Sequence, residues 1–451
     1  MTPLAAGRRR AVSQRYWQSP TSGPDRCKRH SMTTMPKASL ALRAYLAASH
    51  LIPLVAGPVL ARRRKRGKEH PTRWVEKQGR GLAARPAGRL VWINAVGLGE
   101  ILSLRGLIAR MAAAAPDLHF LVTSTTAASA RVFGAQMPPR TIHQFLPLDA
   151  PTYRQQFLHH FRPDLCIWAE QDLWPGLVHD ADRRGIAQAM VAARMNADSF
   201  ARHGKAAGLY RDLYARMALV TAQDAGSAAH LTQLGATARV SGSLKPAAPP
   251  LDCDPSALRD LQAAVGTRFV WATAPSHPAD EAAALAAHNL LRAQIPDALL
   301  IIAPRHPDRR DAIVAACPAP PPMKSQAALP GPADPVWLCD TLGDLGLVYR
   351  VARAVLIGGT FDATEGHNPW EAAQLGCAVL HGPNVDNFTA DFAALGAGGA
   401  IAVHDPATIA RALHGDLATV AGKAKAIAQD AGDATDLLVR DLLALVKARH
   451  D

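Results

Sequence analysis

The sequence predicts an α/β protein built from two parallel-sheet domains, and three observations lead to this fold class. From about residue 88, short β-rich runs alternate with alanine-rich runs of helix length. A proline-rich break, "ARVSGSLKPAAPPLDCDPS", interrupts this alternation near residue 250, and the pattern then restarts. A chain of 451 residues also exceeds the usual size of a single domain.

The predicted strands form two sets, one on each side of the break. The first set is "RLVWINAV", "LHFLVTS", "HQFLPL", "DLCIWAE", "AQAMVAAR" and "ALVTAQ". The second set is "RFVWATA", "ALLIIAPR", "PVWLCD", "RAVLIGGT", "CAVLHGP" and "AIAVH". The proline-rich stretch 317–335 is predicted to be a surface loop of the second domain. We therefore predict a first domain over residues 69–248 and a second over 249–451.

The net charge of +13 is concentrated near the start of the chain. Residues 1–68 contain fifteen Lys and Arg and one acidic residue, so the remainder is close to neutral. A neutral globular part lacks the basic groove typical of nucleic-acid-binding proteins, and we predict no nucleic-acid partner. Residues 1–38 carry Arg, Ser and Pro without hydrophobic periodicity, which predicts a disordered basic extension.

An apolar segment and a basic cluster, together residues 39–68, follow this extension. Residues 39–60 are mostly apolar and, as a helix, long enough to cross the hydrocarbon core of a bilayer. The cluster "ARRRKRGK" would stay on the cytoplasmic side and contact anionic lipids. Arg43, His50, Pro53 and Pro58 also suit a helix that lies on the membrane surface, and both arrangements stay open. The position of the cluster argues against a cleaved secretory signal.

The six cysteines are scattered through the chain without a Cys-x-x-Cys pair. Several of them lie inside apolar, strand-like runs. This distribution predicts reduced core thiols in a cytosolic compartment, with neither a disulfide framework nor a metal site.

Candidate functional residues follow the strands, because ligands of open parallel sheets bind at the carboxyl ends of the strands. In the first domain, "GLGE" places Glu100 on a glycine turn, and "EQDLWP" places Glu170 at another strand end. Leu102 replaces the third glycine of the dinucleotide fingerprint, so we predict no dinucleotide cofactor. Glu100 could accept a proton from an attacking hydroxyl, or it could only favour the first turn of its helix.

In the second domain, "GGTFDATEGHNPWE" places a glycine pair, Gly358 and Gly359, before a predicted helix. Donors around a helix N-terminus bind phosphate readily, and Arg305 with His306 in "PRHPDR" would add side chains suited to an anion. The alternatives are structural. Asn368, Pro369 and Glu371 would form a capping box, and "PRHPDR" would be a solvated turn.

Seven motifs, taken in order, resemble those of a known enzyme family. They are "WINAVGLGE", "FLPLD", "WAEQDLWP", "GSLK", "PRHPDR", "GGT" with "GHNPWE", and "HGP" with "NF". Together they resemble the 3-deoxy-D-manno-octulosonic acid (Kdo) transferases of lipopolysaccharide synthesis, from about residue 70 to about 395, and the family also has the preceding membrane helix. The resemblance implies a GT-B fold, in which two Rossmann-like parallel-sheet domains face a central cleft.

The resemblance also implies an activity. Such enzymes transfer Kdo from CMP-Kdo to a lipid A precursor at the cytoplasmic face of the inner membrane, with inversion and without a metal or other cofactor. Their first domain takes the acceptor and their second takes the nucleotide. The expected partners are therefore CMP-Kdo, a lipid A precursor and the membrane lipids.

The resemblance also implies roles for individual residues, namely those that match the family's motifs in this sequence. The resemblance implies that Glu100 is the general base and that Glu170, which opens the Glu-x-x-Leu-Trp-Pro motif, also belongs to the catalytic site. It implies an acceptor side that includes Gly97, Gly99 and Arg194. It implies donor-binding residues at Lys245, Ser276, Arg305, His306, Gly358, Gly359, His367, Asn368, Glu371 and Asn387. In GT-B enzymes the residue matching Glu371 typically holds the nucleotide ribose.

This sequence departs from the family pattern mainly on the acceptor side. Asn94 and Gly97 replace a histidine and a serine, and Gln171 and Asp172 replace a threonine and a glutamate. Ser243 and Glu365 replace an asparagine and a glycine, and the family's N-A-R-L-S-x-R-S stretch is reduced to "AARMNADS". The resemblance therefore specifies the donor more closely than the acceptor.

Two other functions stay open at this point. One is a GT-B glycosyltransferase that uses a UDP-sugar. The other is a non-catalytic protein of the membrane surface that keeps the scaffold without activity. Competition by CMP against UDP would distinguish the first, while the joint presence of Glu100, Arg305 and Glu371 argues against the second.

Overall fold

The computed structural model describes residues 37–135, 137–170 and 172–447, and the side chains of residues 98–100, 102 and 135 also lie outside the described part. The predicted disordered extension falls outside it, apart from its last two residues. All five cysteines in the described part are free, and Cys166, Cys339 and Cys377 are buried. Burial raises the pKa of each of these three thiols.

Two short helices, α1 (Leu40–Ser49) and α2 (Ile52–Lys65), take the place of one continuous helix over residues 39–60. Their axes meet at 60°, and the break has a physical cause. Pro53 has no N–H to donate to the preceding turn, and its ring would clash with that turn, so a helix cannot run through it undisturbed. None of the described helices is long and apolar enough to span a membrane alone. Taken together, the two helices of this bent pair have the length and composition that a membrane span needs.

The first sheet has seven parallel strands in the order β3-β2-β1-β4-β5-β6-β7. They are β1 (Leu90–Asn94), β2 (His119–Ser124), β3 (Thr141–Phe145), β4 (Leu165–Ala169), β5 (Ala187–Ala193), β6 (Leu219–Ala222) and β7 (Ala238–Val240). The helices between them are α3 (Leu98–Ala114), α4 (Ala127–Ala135), α5 (Pro151–Phe161), α6 (Pro175–Asp182), α7 (Ala197–Gly204), α8 (Ala207–Tyr214) and α9 (Ala225–Gln233).

The second sheet has six parallel strands in the order β10-β9-β8-β11-β12-β13. They are β8 (Val270–Ser276), β9 (Leu299–Pro304), β10 (Val336–Leu338), β11 (Ala354–Ile357), β12 (Ala378–His381) and β13 (Ala400–Ala402). The accompanying helices are α10 (Pro255–Val265), α11 (Pro278–Arg292), α12 (Arg310–Ala316), α13 (Leu345–Val351), α14 (Trp370–Gln374), α15 (Thr389–Leu395), α16 (Pro406–Leu413) and α17 (Leu417–Lys447).

Both faces of each sheet are covered, as parallel strands require. In β1, Val91 and Ile93 belong to one apolar cluster, while Leu90 and Trp92 belong to the cluster on the opposite face. The end of α17 returns to the first sheet, where Leu442 joins the cluster of Val91. The boundary near residue 248 stays a prediction, because this long helix packs against both sheets.

His288 shows how the second sheet uses a buried neutral imidazole. The Trp271 indole N–H donates to Nδ1 at 3.1 Å, and Nε2 lies 2.8 Å from the Pro335 carbonyl oxygen. The neutral ring with its proton on Nε2 satisfies both contacts, and a second proton on Nδ1 would break the first. Burial lowers the pKa of His288 from 6.5 to about 4.

This pKa makes folding pH-dependent. Because the folded value lies below the unfolded one, the unfolded chain binds more protons between pH 6.5 and 4, and stability is lost as the pH falls through that window. We expect the wild type to lose about 2 kcal/mol more unfolding free energy than His288→Gln between pH 7 and 5. Urea unfolding at both pH values measures this. Glutamine can keep both hydrogen bonds, so equal losses would contradict the assignment.

Candidate active site

The candidate site lies where the strand order of each sheet reverses. In doubly wound sheets, ligands bind beside the carboxyl ends of the two strands at that point. In the first sheet these strands are β1 and β4. The turn after β1 leads through Gly97 into α3, and Glu170 follows β4 directly. In the second sheet the strands are β8 and β11, which end beside Ser276 and Gly358.

The topology therefore places the two predicted catalytic glutamates after neighbouring strands. Gly99 and Glu100 lie in the first turn of α3, but their side chains are outside the described part, so the role of Glu100 stays a prediction. Glu170 is described and has a left-handed backbone, with φ of 58°. Its N–H donates to the Val191 carbonyl at 3.0 Å. Non-glycine residues held in this conformation concentrate at functional sites, which suits the predicted role of Glu170.

Arg194, predicted on the acceptor side, contacts the second half of the molecule. Its Nη2 donates to the carbonyl oxygen of Asp386 at 3.1 Å. The neighbouring Asn387, predicted to bind the donor, donates through Nδ2 to the Thr364 carbonyl at 2.7 Å. Both predicted residues therefore help to shape the loop after β12, at the edge of the cleft between the sheets.

The glycine pair lies in a loop that is held by buried hydrogen bonds, and its predicted part in donor binding stays a prediction. We expected its backbone N–H groups to be available for a phosphate. Instead, the N–H groups of Gly359 and Phe361 donate to the carboxylate of Asp280 at 2.6 and 3.1 Å, and the N–H of His277 donates to it at 3.0 Å. Asp280 is fully buried, and burial raises its pKa, while these hydrogen bonds oppose the rise. This carboxylate thus holds the loops after β8 and β11 together.

Gly358 is required for the close approach of these same loops. A Cβ atom at this position would overlap the carbonyl oxygen of Pro275, which is backbone and cannot swing aside. We expect Gly358→Ala to lower the unfolding free energy by about 2 kcal/mol. Gly208→Ala is the control, because an added Cβ there meets nothing within 4 Å. Equal stability of both variants in urea would contradict this packing role.

Three histidines gather between the loops after β8, β9 and β11. The Nε2 atoms of His277 and His367 lie 2.8 Å apart, and the two rings stack with their centroids at 5.1 Å. The His306 ring lies edge-on to His277 at 6.1 Å. Burial, and then the proximity of His277 and Arg305, lowers the pKa of His367 to about 4. At neutral pH the His367 ring is therefore neutral and can share a hydrogen bond with His277, and Arg305, with its exposed side chain, supplies positive charge.

Glu371 lies half-buried beside this cluster at the start of α14. Burial raises its pKa, while a hydrogen bond from Asn368 and the charge of Arg305 lower it. The predicted capping box does not form, because the helix begins at Trp370, one residue later than expected. Asn368 instead accepts from the Trp370 N–H at 3.2 Å and donates through its amide to Glu371 at 3.2 Å. The Glu371 carboxylate is thus oriented by a side chain and keeps acceptor capacity for a ligand hydroxyl.

Ser276 and Lys245 are both engaged with protein groups. The Ser276 hydroxyl donates to Glu281 at 3.2 Å, and Glu281 also pairs with Arg309 at 2.6 Å. Lys245 Nζ lies 2.9 Å from Asp391 Oδ2 and 4.2 Å from the centre of the Phe388 ring. The predicted phosphate contact of Lys245 would therefore compete with an ion pair that the protein already makes.

Sequence reasoning missed His277, Asp280 and Asp391. His277 and Asp280 lie in the stretch "SHPADE" at the carboxyl end of β8, where ligands of parallel sheets bind, so a signal was present for them. Asp391 accepts from the Trp370 indole at 2.7 Å and pairs with Lys245, and no local pattern marks either contact. Among the residues that the structure describes, no group of three or more His, Cys, Asp or Glu is arranged to hold a metal ion.

The arrangement suits a transfer from an anionic leaving group. Fixed positive charge and imidazole N–H groups at the second sheet can stabilise negative charge that develops there. The half-buried carboxylate of Glu371 beside them can accept hydrogen bonds from the hydroxyl groups of a nucleotide sugar, and acidic residues follow strands of the first sheet.

Comparisons with known proteins agree with this architecture. Residues 72–248 match the family model for the 3-deoxy-D-manno-octulosonic-acid transferase (kdotransferase) domain. The UDP-GlcNAc 2-epimerase of Neisseria meningitidis superposes with a TM-score of 0.52 at 14% identity, covering 79% of this chain and 100% of that one. That likeness concerns the fold alone, and it confirms the predicted GT-B architecture of two parallel-sheet domains.

Proteins related in sequence have a higher identity to this chain than this structural neighbour has. A protein of Arabidopsis thaliana described as a probable mitochondrial 3-deoxy-D-manno-octulosonic acid transferase is 34% identical, over 72% of this chain and 76% of its own length. The 3-deoxy-D-manno-octulosonic acid transferase of Bordetella pertussis is 32% identical, over 80% of this chain and 88% of its own length. The resemblance predicted from the motifs is thus confirmed, and this chain belongs to the 3-deoxy-D-manno-octulosonic acid transferase family of glycosyltransferases.

Proposed function

We propose that this protein transfers Kdo from CMP-Kdo to a lipid A precursor in lipopolysaccharide synthesis, with inversion and without a metal. The observation that carries the proposal is the donor edge of the second sheet, where Arg305, the His277–His367 pair and the half-buried Glu371 come together. This set offers cationic and imidazole groups for a phosphate and a carboxylate for ribose hydroxyls.

The proposed reaction is a single displacement. An acceptor hydroxyl oxygen forms a bond to the anomeric carbon of Kdo, while the bond from that carbon to the phosphate oxygen breaks and CMP leaves. Glu100 takes the hydroxyl proton, and Arg305 with the nearby imidazoles stabilises the charge on the departing phosphate. Glu371 holds the ribose, so that the leaving group stays in line with the attacking oxygen.

We further propose that the helix pair α1–α2 lies against the cytoplasmic face of the inner membrane. Leu51 and Leu54 are 63% and 74% exposed, so large apolar side chains face outward on this pair. The basic run Arg62–Arg66 follows on α2 and would contact anionic head groups. The break between the helices and the buried side of α1 favour a surface position over a straight span.

The test is Kdo transfer by detergent-extracted protein, with CMP-Kdo generated in situ and a lipid A precursor as acceptor. We expect a product whose mass increases by one or more Kdo units, and inhibition by CMP at lower concentration than by UDP. Transfer from a UDP-sugar, with UDP as the better inhibitor, would overturn the donor. Binding of CMP without transfer to any lipid A acceptor would overturn the acceptor.

A further inference from the structure

The helix pair is built into the acceptor end of the first sheet by buried polar contacts. Tyr45 on α1 donates its hydroxyl hydrogen to Asp149 Oδ2 at 2.8 Å. Asp149 follows β3 and is 2% exposed. The same carboxylate accepts the N–H groups of Gly176 and Leu177 at 2.7 and 2.9 Å. One buried carboxylate therefore joins the first helix of the chain to the start of α6.

The start of α6 is also the end of the motif that Glu170 opens. Gly176 is required there, because a Cβ atom would come within 2.7 Å of Asp149 Oδ1 and would also meet the Arg154 guanidinium. Arg154 donates to the Ser49 hydroxyl of α1 at 3.2 Å and to Asp180 of α6 at 2.8 Å. A second polar bridge therefore links α1 to the same helix.

The other helix of the pair reaches the sheet through a buried lysine. Arg63 of α2 pairs with Glu69 at 2.5 Å, and Glu69 pairs with Lys77 at 2.5 Å. Lys77 Nζ donates to the Thr125 carbonyl, in the loop after β2, at 2.8 Å, and its own carbonyl accepts the N–H of Leu148 at 2.9 Å. Lys77 is 5% exposed, and its pKa is lowered mainly by burial.

These contacts involve the loops after β2, β3 and β4. The three loops lie at the edge of the first sheet that we assign to the acceptor. A buried charge or carboxylate is held rigidly, because any displacement would leave its partners unsatisfied in a medium of low dielectric. When the helix pair moves, these loops therefore move with it, because the buried side chains that connect them cannot change conformation freely.

We propose that Tyr45, Asp149 and Lys77 are positioning residues, through which the helix pair α1–α2 sets the geometry of the acceptor loops. The proposal rests on the proposed function in one respect, the assignment of this edge to the acceptor. Seating of the helices on a lipid surface would then order the segment that begins at Glu170, so the pair is part of the acceptor site as well as an anchor.

The experiment compares the full-length wild type with Tyr45→Phe by hydrogen exchange and by kinetics. Removal of one hydroxyl leaves the apolar contacts of α1 intact, and Asp149 loses one of its donors. We expect the amides of Gly176 and Leu177 to exchange several-fold faster, with peptides from the second sheet unchanged. We also expect the KM for the lipid acceptor to rise several-fold, while the affinity for CMP stays the same.

Tyr214→Phe is the matched control, since Tyr214 is a buried tyrosine of α8 that packs in a separate cluster of the same domain. This control should change neither the exchange of Gly176 and Leu177 nor the acceptor KM. Asp149→Asn should enlarge both effects.

Unchanged exchange at Gly176 and Leu177 in Tyr45→Phe would overturn the proposal, and so would a uniform increase throughout the chain, which indicates global destabilisation. If the wild type transfers no Kdo, the proposed function fails, but the exchange measurement still decides whether the helix pair and the acceptor loops are coupled.

Discussion

Glu100→Gln is expected to lower kcat for Kdo transfer by about 10²–10⁴-fold, which is the usual contribution of a general base. Glutamine has nearly the same shape but cannot accept the proton of the attacking hydroxyl. Because Glu100 lies in α3 beside the first sheet and we propose that the nucleotide binds beside the second, CMP affinity should stay the same. Initial rates of transfer and equilibrium binding of CMP measure the two quantities.

The control addresses the structural role that the sequence left open for Glu100. An acid in the first turn of a helix stabilises it by about 0.3–1 kcal/mol through the helix dipole. Asp198 occupies the first turn of α7 and is exposed, so Asp198→Asn removes only such a contribution. If Glu100→Gln and Asp198→Asn both retain normal transfer, Glu100 acts on its helix alone and another residue is the base.

The sequence predicted twelve of the thirteen strands that the described residues form, and the missed strand has a physical explanation. Buried parallel strands are continuous apolar runs, which stand out from alanine-rich helices. Strand β7 has three residues, lies at the edge of its sheet, and leaves Val240 53% exposed. The residues of an edge strand are less consistently apolar, so their sequence pattern is weak. We therefore assigned the residues of β7 to the proline-rich break.

The candidate site was predicted less completely, because much of it depends on contacts between distant residues. The motif around Gly358 indicated a ligand loop, but Asp280, which takes the N–H of Gly359, lies 79 residues away in sequence. Periodicity and local motifs do not report such pairs. Glu371 and Arg305 could be singled out because the order of several motifs resembled a family, not because either residue is unusual where it stands.

Lys245 is predicted to bind the donor, and in the structure it also forms an ion pair. The resemblance implies that it binds the donor, whereas its Nζ pairs with Asp391, whose side chain is only 2% exposed. Asp391 also accepts from the Trp370 indole, next to Glu371, at 2.7 Å. Since Lys245 lies between β7 and β8, this ion pair holds the connection between the two sheets against α15, which carries Asp391.

Lys245→Met is therefore expected to lower the unfolding free energy by about 3 kcal/mol, because it leaves a buried carboxylate without its counter-charge. Urea unfolding measures this loss. Arg110→Met is the control: Arg110 also forms an ion pair, with Asp436 at 2.6 Å, but these side chains are 32% and 49% exposed, so the loss should stay within about 1 kcal/mol.

A double variant distinguishes the ion pair of Lys245 with Asp391 from the predicted contact of Lys245 with the donor. In Lys245→Met/Asp391→Asn the buried charge is gone, and the introduced amide can still accept from the Trp370 indole, so part of the lost stability should return. If Lys245 serves only the ion pair, CMP affinity should return with it. If the double variant recovers stability but still binds CMP at least tenfold more weakly than the wild type, the lysine also contacts the donor, and the ion pair with Asp391 is the resting position from which it is recruited.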